Sequence, residues 1–456
     1  MACCRDFTRT ELLRHATAQA GRGLPAIEPG MPAPAGTGLS RRTFLARSAG
    51  IALAVYGAQR IGLRAFEEGV AAAAASGPQP ALVSLFLPGG CDGLSVLAPV
   101  GDSRYATLRP TLKLDPSTGI AFTEDSRLYW SPAAAGLSTL HGEGKVTVFP
   151  AIGYDHPDQS HFTSRHFWEV GALDTSARFG WLGRYLDVAG SDSNPLQGLS
   201  LNGDLSPTLA ASRVPVAAIE KPEDYGFWIR GVDDPVLEPT LEAFGTLGAL
   251  PTGDPIRAGA RKVATEVDGV RRALAPFATS DGSPSYKSPV TYPDSDLAKK
   301  FAGLAAMIAA GLPLRCIALD SDGGFDTHSN QATDLPTDLK TTCDAVLAFQ
   351  RDLEARGIAD RVLVTMWSEF GRRPEENGSG TDHGAAGTAF VIGSRTRGQM
   401  VGEFPGLAQL DPEDNLRSTS DFRGLYCSLL EQWFGFDSAQ VLPGAASLAR
   451  PALLKS

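Results

Sequence analysis

The chain has 456 residues, 43% of them hydrophobic and 20% charged, enough to bury a large core and to build more than one domain. Its 41 basic and 51 acidic side chains are unevenly spread: residues 1–77 hold 9 Arg against 5 Asp or Glu, leaving 32 basic and 46 acidic residues, a net of −14, for the remainder. So acidic a remainder argues against nucleic acid as a partner, because phosphate backbones are bound by surplus Lys and Arg.

In chain order, the stretch Ala16 to Gly38 is rich in Ala, Gly and Pro and shows no apolar periodicity, the pattern of an unstructured leader. It is followed by SRRTFLARSAGIALAVYGA, in which Arg41 and Arg42 precede a short apolar run from Ala49 to Ala58, and then by GVAAAAASG, whose small residues suit signal-peptidase cleavage. Residues 40–76 are therefore read as a twin-arginine export signal, with the Tat translocase as partner and a periplasmic, cell-surface or extracellular destination. Gln59, Arg60 and Arg64 interrupt the apolar run well short of the ~20 residues that a span requires, so no stable transmembrane anchor is expected. The division is a leader and signal over 1–77 and a folded part over 78–456.

After residue 80 short apolar runs alternate with helical patterns, which predicts an α/β domain with a largely parallel sheet. The runs ALVSLFLPGGCDG, GKVTVFPAIG, LRCIALD and RVLVTMW read as buried strands, and a helix is expected to open near Ser160. DLAKKFAGLAAMIAAG and DLKTTCDAVLAFQRDLEARG are amphipathic helices feeding the third and fourth strands. Residues 194–289 are less regular and read as an inserted cap. Cys91, Cys316, Cys343 and Cys427 remain after the leader, none in a CxxC pair, open to three disulfide pairings or to none.

Each of the four strands ends in a loop rich in Gly and in Asp, His, Ser or Glu, and in parallel sheets such ends line the ligand crevice. His156, His161, His166, His328 and His383, five of the seven histidines, fall in these loops, with Asp92, Asp326, Glu369 and Asp382 beside them. Neutral imidazoles and carboxylates are what a divalent cation needs, so Asp92, Asp326, His328, Glu369, Asp382 and His383 form the candidate ligand set for one or two ions of Zn, Mn, Mg or Ca. Asp326 and His328, two apart, point to one face of an extended segment and suit one ion, whereas the adjacent Asp382 and His383 point apart and suit two. Taken singly these residues have structural readings as turn, cap or salt-bridge residues; their clustering at four strand ends favours the metal reading. Ser160, at a helix start where backbone N–H groups favour an anion, is the candidate nucleophile, with Thr163 and Ser164 as rivals and His161 as a catalytic partner or ligand. Arg165, Arg372 or Arg373 is the candidate for holding substrate oxygens.

The motifs FLPGGCDGLS, DQSHFTSRHFWEVG, GGFDTHSNQ and SEFGRRPEENGSGTDHG together resemble a bacterial family of twin-arginine-exported proteins of unknown function placed in the alkaline phosphatase and sulfatase superfamily. The resemblance runs from about Ala81 to DFRGLYCSLLEQWFG. It implies an alkaline-phosphatase-like three-layer sandwich with a mostly parallel central sheet and an inserted cap, and a site holding two divalent ions and a Ser, Thr or modified Cys nucleophile. By this resemblance Asp92 matches the first-strand metal aspartate, Ser160 the nucleophile position, Asp326 and His328 the Asp and His pair, and Asp382 and His383 the Asp-His-Gly element. The chain departs from the pattern in placing Glu369 at the strand end ahead of Asp382, and in having no histidine after His383. Cys91 lies in CDGLS and not in Cys-x-Pro-x-Arg, which disfavours a formylglycine sulfatase, and no Gly-x-Ser-x-Gly elbow surrounds Ser160.

The expected function is an exported metal-dependent hydrolase or transferase acting on a phosphate or sulfate ester, of a small molecule or an envelope glycan. The alternative is a catalytically decayed envelope protein that binds a glycan, lipid headgroup or partner protein.

Overall fold

The structure, a computed structural model, describes residues 55–56, 79–225, 234–279 and 281–455. The expected leader and export signal lie outside the described residues, apart from Val55–Tyr56. The strands of the main sheet, in chain order, are β1 (Val55–Tyr56), β2 (Ala81–Phe86), β3 (Val146–Gly153), β4 (Gly198–Ser200), β5 (Val216–Ala218), β6 (Cys316–Asp320), β7 (Val362–Trp367), β8 (Gly387–Ile392) and β9 (Ser420–Asp421). They lie side by side as β1-β5-β4-β6-β2-β7-β8-β3-β9.

All four strands expected from the apolar runs are present, and β6, β2 and β7 are parallel neighbours at the centre. β8 runs antiparallel to both β7 and β3, so β3 has the direction of the central strands and its carboxyl end reaches the same edge of the sheet. The segment read as a cap, 194–289, divides. Its first part supplies β4 and β5, which join the sheet in parallel beside β6, and only beyond them does the chain leave the sheet for a pair of helices. The three-residue lengths of β4 and β5 are too short to show a periodicity.

The helices are α1 (Ala135–Gly142), α2 (His161–Val170), α3 (Trp181–Ala189), α4 (Asp234–Gly248), α5 (Pro255–Leu274), α6 (Asp296–Ala309), α7 (Gln331–Ala355) and α8 (Phe422–Ser428). They cover both faces of the sheet, as the alternation of strand side chains requires. Ala81, Val83 and Leu85 of β2 pack in one core with Leu137 of α1, Phe301 and Leu304 of α6 and Leu339 and Phe349 of α7. Leu82 and Phe86 point the other way, into a core with Trp168 of α2, Trp181 of α3 and Tyr426 of α8. Each Val, Leu or Phe among them, fully buried, contributes roughly 1.5–3 kcal/mol. The result is a helix-sheet-helix sandwich, the α/β class expected from the sequence.

α7 begins at Gln331, seven residues ahead of the amphipathic pattern, and carries Pro336 in its second turn. A proline reads as a breaker in sequence, yet so near a helix start it removes only one N–H bond. Cys91, Cys316, Cys343 and Cys427 are all buried free thiols. No helix among the described residues is long and apolar enough to cross a membrane.

Candidate metal centre

The loops at the carboxyl ends of β2, β3, β6 and β7 converge on one cluster. β6 is followed by the loop with Asp326 and His328, and β3 by the turn into α2, whose first residue is His161. β7 is followed by Glu369 and then by a two-stranded ribbon, Arg372–Glu376 with Thr381–His383, in which Arg372 faces His383. The ribbon is tied to the β6 loop through Thr381 N–H to Thr327 O (3.1 Å) and Gln331 N–H to Ser379 O (2.9 Å).

Asp326 Oδ1 is the focus. It lies 3.5 Å from His161 Nε2, 3.3 Å from His328 Nε2 and 3.5 Å from His383 Nε2. The ligand atoms of His161, Asp326 and His383 all fall within 4.8 Å of one another. Each imidazole is held by its other nitrogen: His161 Nδ1 is 2.8 Å from Glu369 Oε1, His328 Nδ1 is 3.1 Å from Asp382 Oδ1, and His383 Nδ1 is 2.9 Å from Gln159 O. The Glu369 and Asp382 carboxylates and the Gln159 carbonyl only accept, so each Nδ1 donates its N–H to them, while each Nε2 faces the Asp326 carboxylate. Burial first, and the nearby Arg372 guanidinium, push the His328 and His383 imidazoles below their ordinary values. Asp326 is held well below the usual carboxylate range: burial works against this, but hydrogen bonding from His161 and His383 and the charge of Arg372 outweigh it.

Asp326 Oδ1 already carries the Arg372 guanidinium at 2.6 Å, and an ion among the imidazoles would add a second positive partner. His328 Nε2 is moreover buried without a hydrogen-bond partner among the described residues. His161, Asp326 and His383 form an ion-sized group, whereas His328 approaches Asp326 alone and stands outside it. Two imidazoles and one carboxylate suit Zn or Mn better than Mg or Ca, which prefer all-oxygen sets. Among the described residues no other group of His, Cys, Asp and Glu fits an ion in this way.

Of the six candidate ligands, Asp326, His328 and His383 are brought together around the focus. Asp382 is at the rim, bonded to His328 and to Asn377 Nδ2 (3.1 Å) and outside the ion-sized group, so the adjacent Asp382 and His383 lie at one cluster and not at two. Glu369 is fully buried behind His161, accepting from Gly89 N–H (3.0 Å) and Gly90 N–H (3.0 Å). Asp92 stands apart: it caps the short helix Gly93–Val96 and is engaged by Arg109 Nη1 (2.6 Å) and Nη2 (3.1 Å), Ser95 Oγ (2.6 Å) and Gln331 Nε2 (2.5 Å).

Ser160 caps α2, its Oγ accepting the Phe162 N–H (3.3 Å), and lies between Gln159, which holds His383, and His161. Ser164 is fully buried and bonds Glu369 O (2.6 Å) and Tyr154 Oη (2.9 Å), which occupies it structurally. Arg372 is buried and spent on Gly90 O (2.7 Å), Thr381 O (2.8 Å), Gly89 O and Asp326 Oδ1 (2.6 Å). Arg165 is likewise buried, donating to Glu169 (2.7 Å) and lying 4.4 Å over the Phe86 ring. Arg373, half-buried, has no side-chain partner among the described residues, and its charge acts on Asp382.

Residues 279–434 match a family described as "Protein of unknown function (DUF1501)", so the resemblance read from the motifs is borne out over that segment. No curated protein matches the sequence. Among solved structures the chain is similar to a protein in the alkaline phosphatase superfamily from Vibrio parahaemolyticus, at 10% identity and TM-score 0.37, over 84% of this chain and 76% of that one. It is also similar to the PsFucS1 sulfatase from Pseudoalteromonas sp., at 11% identity and TM-score 0.33, over 86% and 77%. A third is the C-terminal periplasmic domain of EcEptC from Escherichia coli in complex with Zn, at 10% identity and TM-score 0.34, over 83% and 93%.

Proposed function

We propose that this protein is an exported hydrolase or transferase that acts on a phosphate or sulfate ester with the help of one divalent ion, held by His161, His383 and Asp326, with His328 beside Asp326. The observation that carries the reading is the convergence of three imidazole nitrogens on the Asp326 carboxylate, each ring fixed from behind by its own acceptor. A bound Zn or Mn ion would supply Lewis-acid stabilisation of the charge that grows on the transferring group. The chain's own residues do the rest. Ser160, at the start of the ten-residue helix α2 and next to His161, brings a hydroxyl to the site, and the N–H groups of that first turn favour an anionic oxygen there. Arg165 and Arg372 are engaged inside the fold, which leaves Arg373 as the cation beside Asp382 for an ester's anionic oxygens. The motif resemblance supports the choice of ester and export through the twin-arginine signal.

The test is elemental analysis of the protein purified without chelator, beside an Asp326→Ala, His328→Ala variant, followed by 4-nitrophenyl phosphate and sulfate assays with added Zn or Mn. About one ion per chain, absent from the variant, and metal-dependent turnover lost on Ser160→Ala are expected. Metal without turnover of any ester would favour an envelope binding protein; no metal in the wild type would sink the proposal.

A further inference from the structure

Gln331, the first residue of α7, is buried between the two segments that carry Asp326 and His383. Its amide oxygen accepts from Thr327 Oγ1 (3.1 Å), one residue after Asp326, and from Thr381 Oγ1 (2.6 Å), in the ribbon strand that ends at His383. Its amide nitrogen donates to Asp92 Oδ2 (2.5 Å). Asp92 is an ionised carboxylate bonded twice by Arg109 and can only accept, so the Gln331 NH2 must face Asp92 and its oxygen must face the two threonines. Arg109 closes the circle: from Asp92 it reaches Arg373 O (2.8 Å) and Pro374 O (2.6 Å) in the other strand of the ribbon. The two segments also meet backbone to backbone. Thr381 N–H bonds Thr327 O (3.1 Å), and a Cβ added at Gly380 would stand 2.3 Å from the same oxygen.

From this geometry, and resting on the metal centre proposed above, we infer that Gln331 is a positioning residue for that centre: by holding Thr327 and Thr381 on one amide oxygen it sets the separation of Asp326 and His383, two of the three residues of the ion-sized group. Neither segment can set it alone. The Asp326 loop has no regular structure, and the ribbon is a pair of strands of five and three residues, too small to be rigid by itself. The Gln331 amide in turn cannot rotate without turning its oxygen toward the Asp92 carboxylate, so Asp92 and Arg109 fix the clamp from behind although neither belongs to the ion-sized group. His161 reaches the group from α2 instead. The centre is thus assembled from a clamped pair and a third residue brought by a helix.

Thr381→Val and Thr381→Ser separate positioning from packing. Valine keeps the shape of the side chain and removes its hydroxyl; serine keeps the hydroxyl and removes the methyl group. Three readouts are taken on the purified full chain: Zn affinity by competition with a chromophoric chelator, the urea midpoint, and hydrogen exchange of the metal-free protein followed by mass spectrometry. Zn binding about 10–100-fold weaker in Thr381→Val, with Thr381→Ser within about threefold of the wild type, is expected whichever variant has the lower urea midpoint. Exchange should quicken in Thr381→Val over both 325–331 and 377–384, the two segments that the clamp joins. Wild-type Zn affinity in Thr381→Val, or an equal loss in Thr381→Ser, would overturn the inference. Should Thr381→Val fail to fold, Thr327→Val and Thr327→Ser make the same comparison on the other arm of the amide. Should the wild type bind no Zn, the metal proposal falls, and exchange then decides the clamp: quickening in both segments keeps it, and unchanged exchange in either one refutes it.

Discussion

Replacing Arg109 by Met isolates the buried ion pair beneath the centre. Both partners are fully buried, and Arg109 meets Asp92 with two N–H groups at 2.6 and 3.1 Å while its remaining donors hold Pro374 O (2.6 Å) and Arg373 O (2.8 Å) of the ribbon. Met fills similar volume but leaves the Asp92 carboxylate with only Ser95, Gln331 and the Leu94 N–H against an apolar wall. Removing one member of such a pair costs roughly 3–5 kcal/mol, most of it the cost of an uncompensated buried charge. Urea denaturation at pH 7 should show that loss with an unchanged m-value. The sign with pH follows from the carboxyl. Burial raises the Asp92 pKa, but the charge and hydrogen bonds of Arg109 and the bonds from Ser95 and Gln331 outweigh it and hold the group below its ordinary value. The pair's stabilisation is therefore complete above the unfolded carboxyl pKa of about 4 and is lost as pH falls through the lower folded value. Asp92→Leu with Arg109→Met together should recover most of the stability, because no charge is then stranded. A single-variant loss under about 1 kcal/mol, or a double variant no better than the single one, would refute the reasoning; depletion of metal in a folded Asp92→Asn protein would return Asp92 to the ligand set.

Gly89→Ala should cost about 3 kcal/mol or more and abolish metal binding, since an added Cβ would sit 2.4 Å from Asp326 N at a φ of 112°; thermal melts and metal analysis check both parts. Glu266 on α5 is buried, and desolvation, only partly offset by Lys262, raises its pKa to about 7. Its contribution is full below the unfolded value near 4.3 and is lost as pH rises through about 7, so Glu266→Gln should flatten the pH profile of the urea midpoint between those values. Trp168→Ala should cost about 3–5 kcal/mol, because the ring is stacked between Trp367 (5.2 Å) and Phe422 (4.5 Å) in the core under α2 and α8, as chemical denaturation would show.

The four apolar runs, the helix at Ser160 and the enrichment of His and carboxylates after the strands were legible because each is local: burial on both faces of a central strand writes a continuous apolar run, and a cap writes a serine ahead of a helix. The pairing of Asp326 with His328 was legible too, since their spacing brings both to one face. β4 and β5 were not, because three residues inside the sheet carry no period, and their place beside β6 depends on hydrogen bonds to a strand about a hundred residues away. Chemical type could nominate Asp92, Glu369 and Asp382 as ligands but could not say what else each carboxylate would meet. Only the assembled fold pairs Asp92 with Arg109, sets Glu369 behind His161 on two glycine amides, and turns His161 toward Asp326 in company with His328 and His383. Residue type and local spacing select which side chains are chemically able to bind an ion. Which of them meet, and which are spent on holding the others, is fixed by contacts between segments remote in sequence, and those exist only once the parallel strands have aligned their carboxyl ends along one edge.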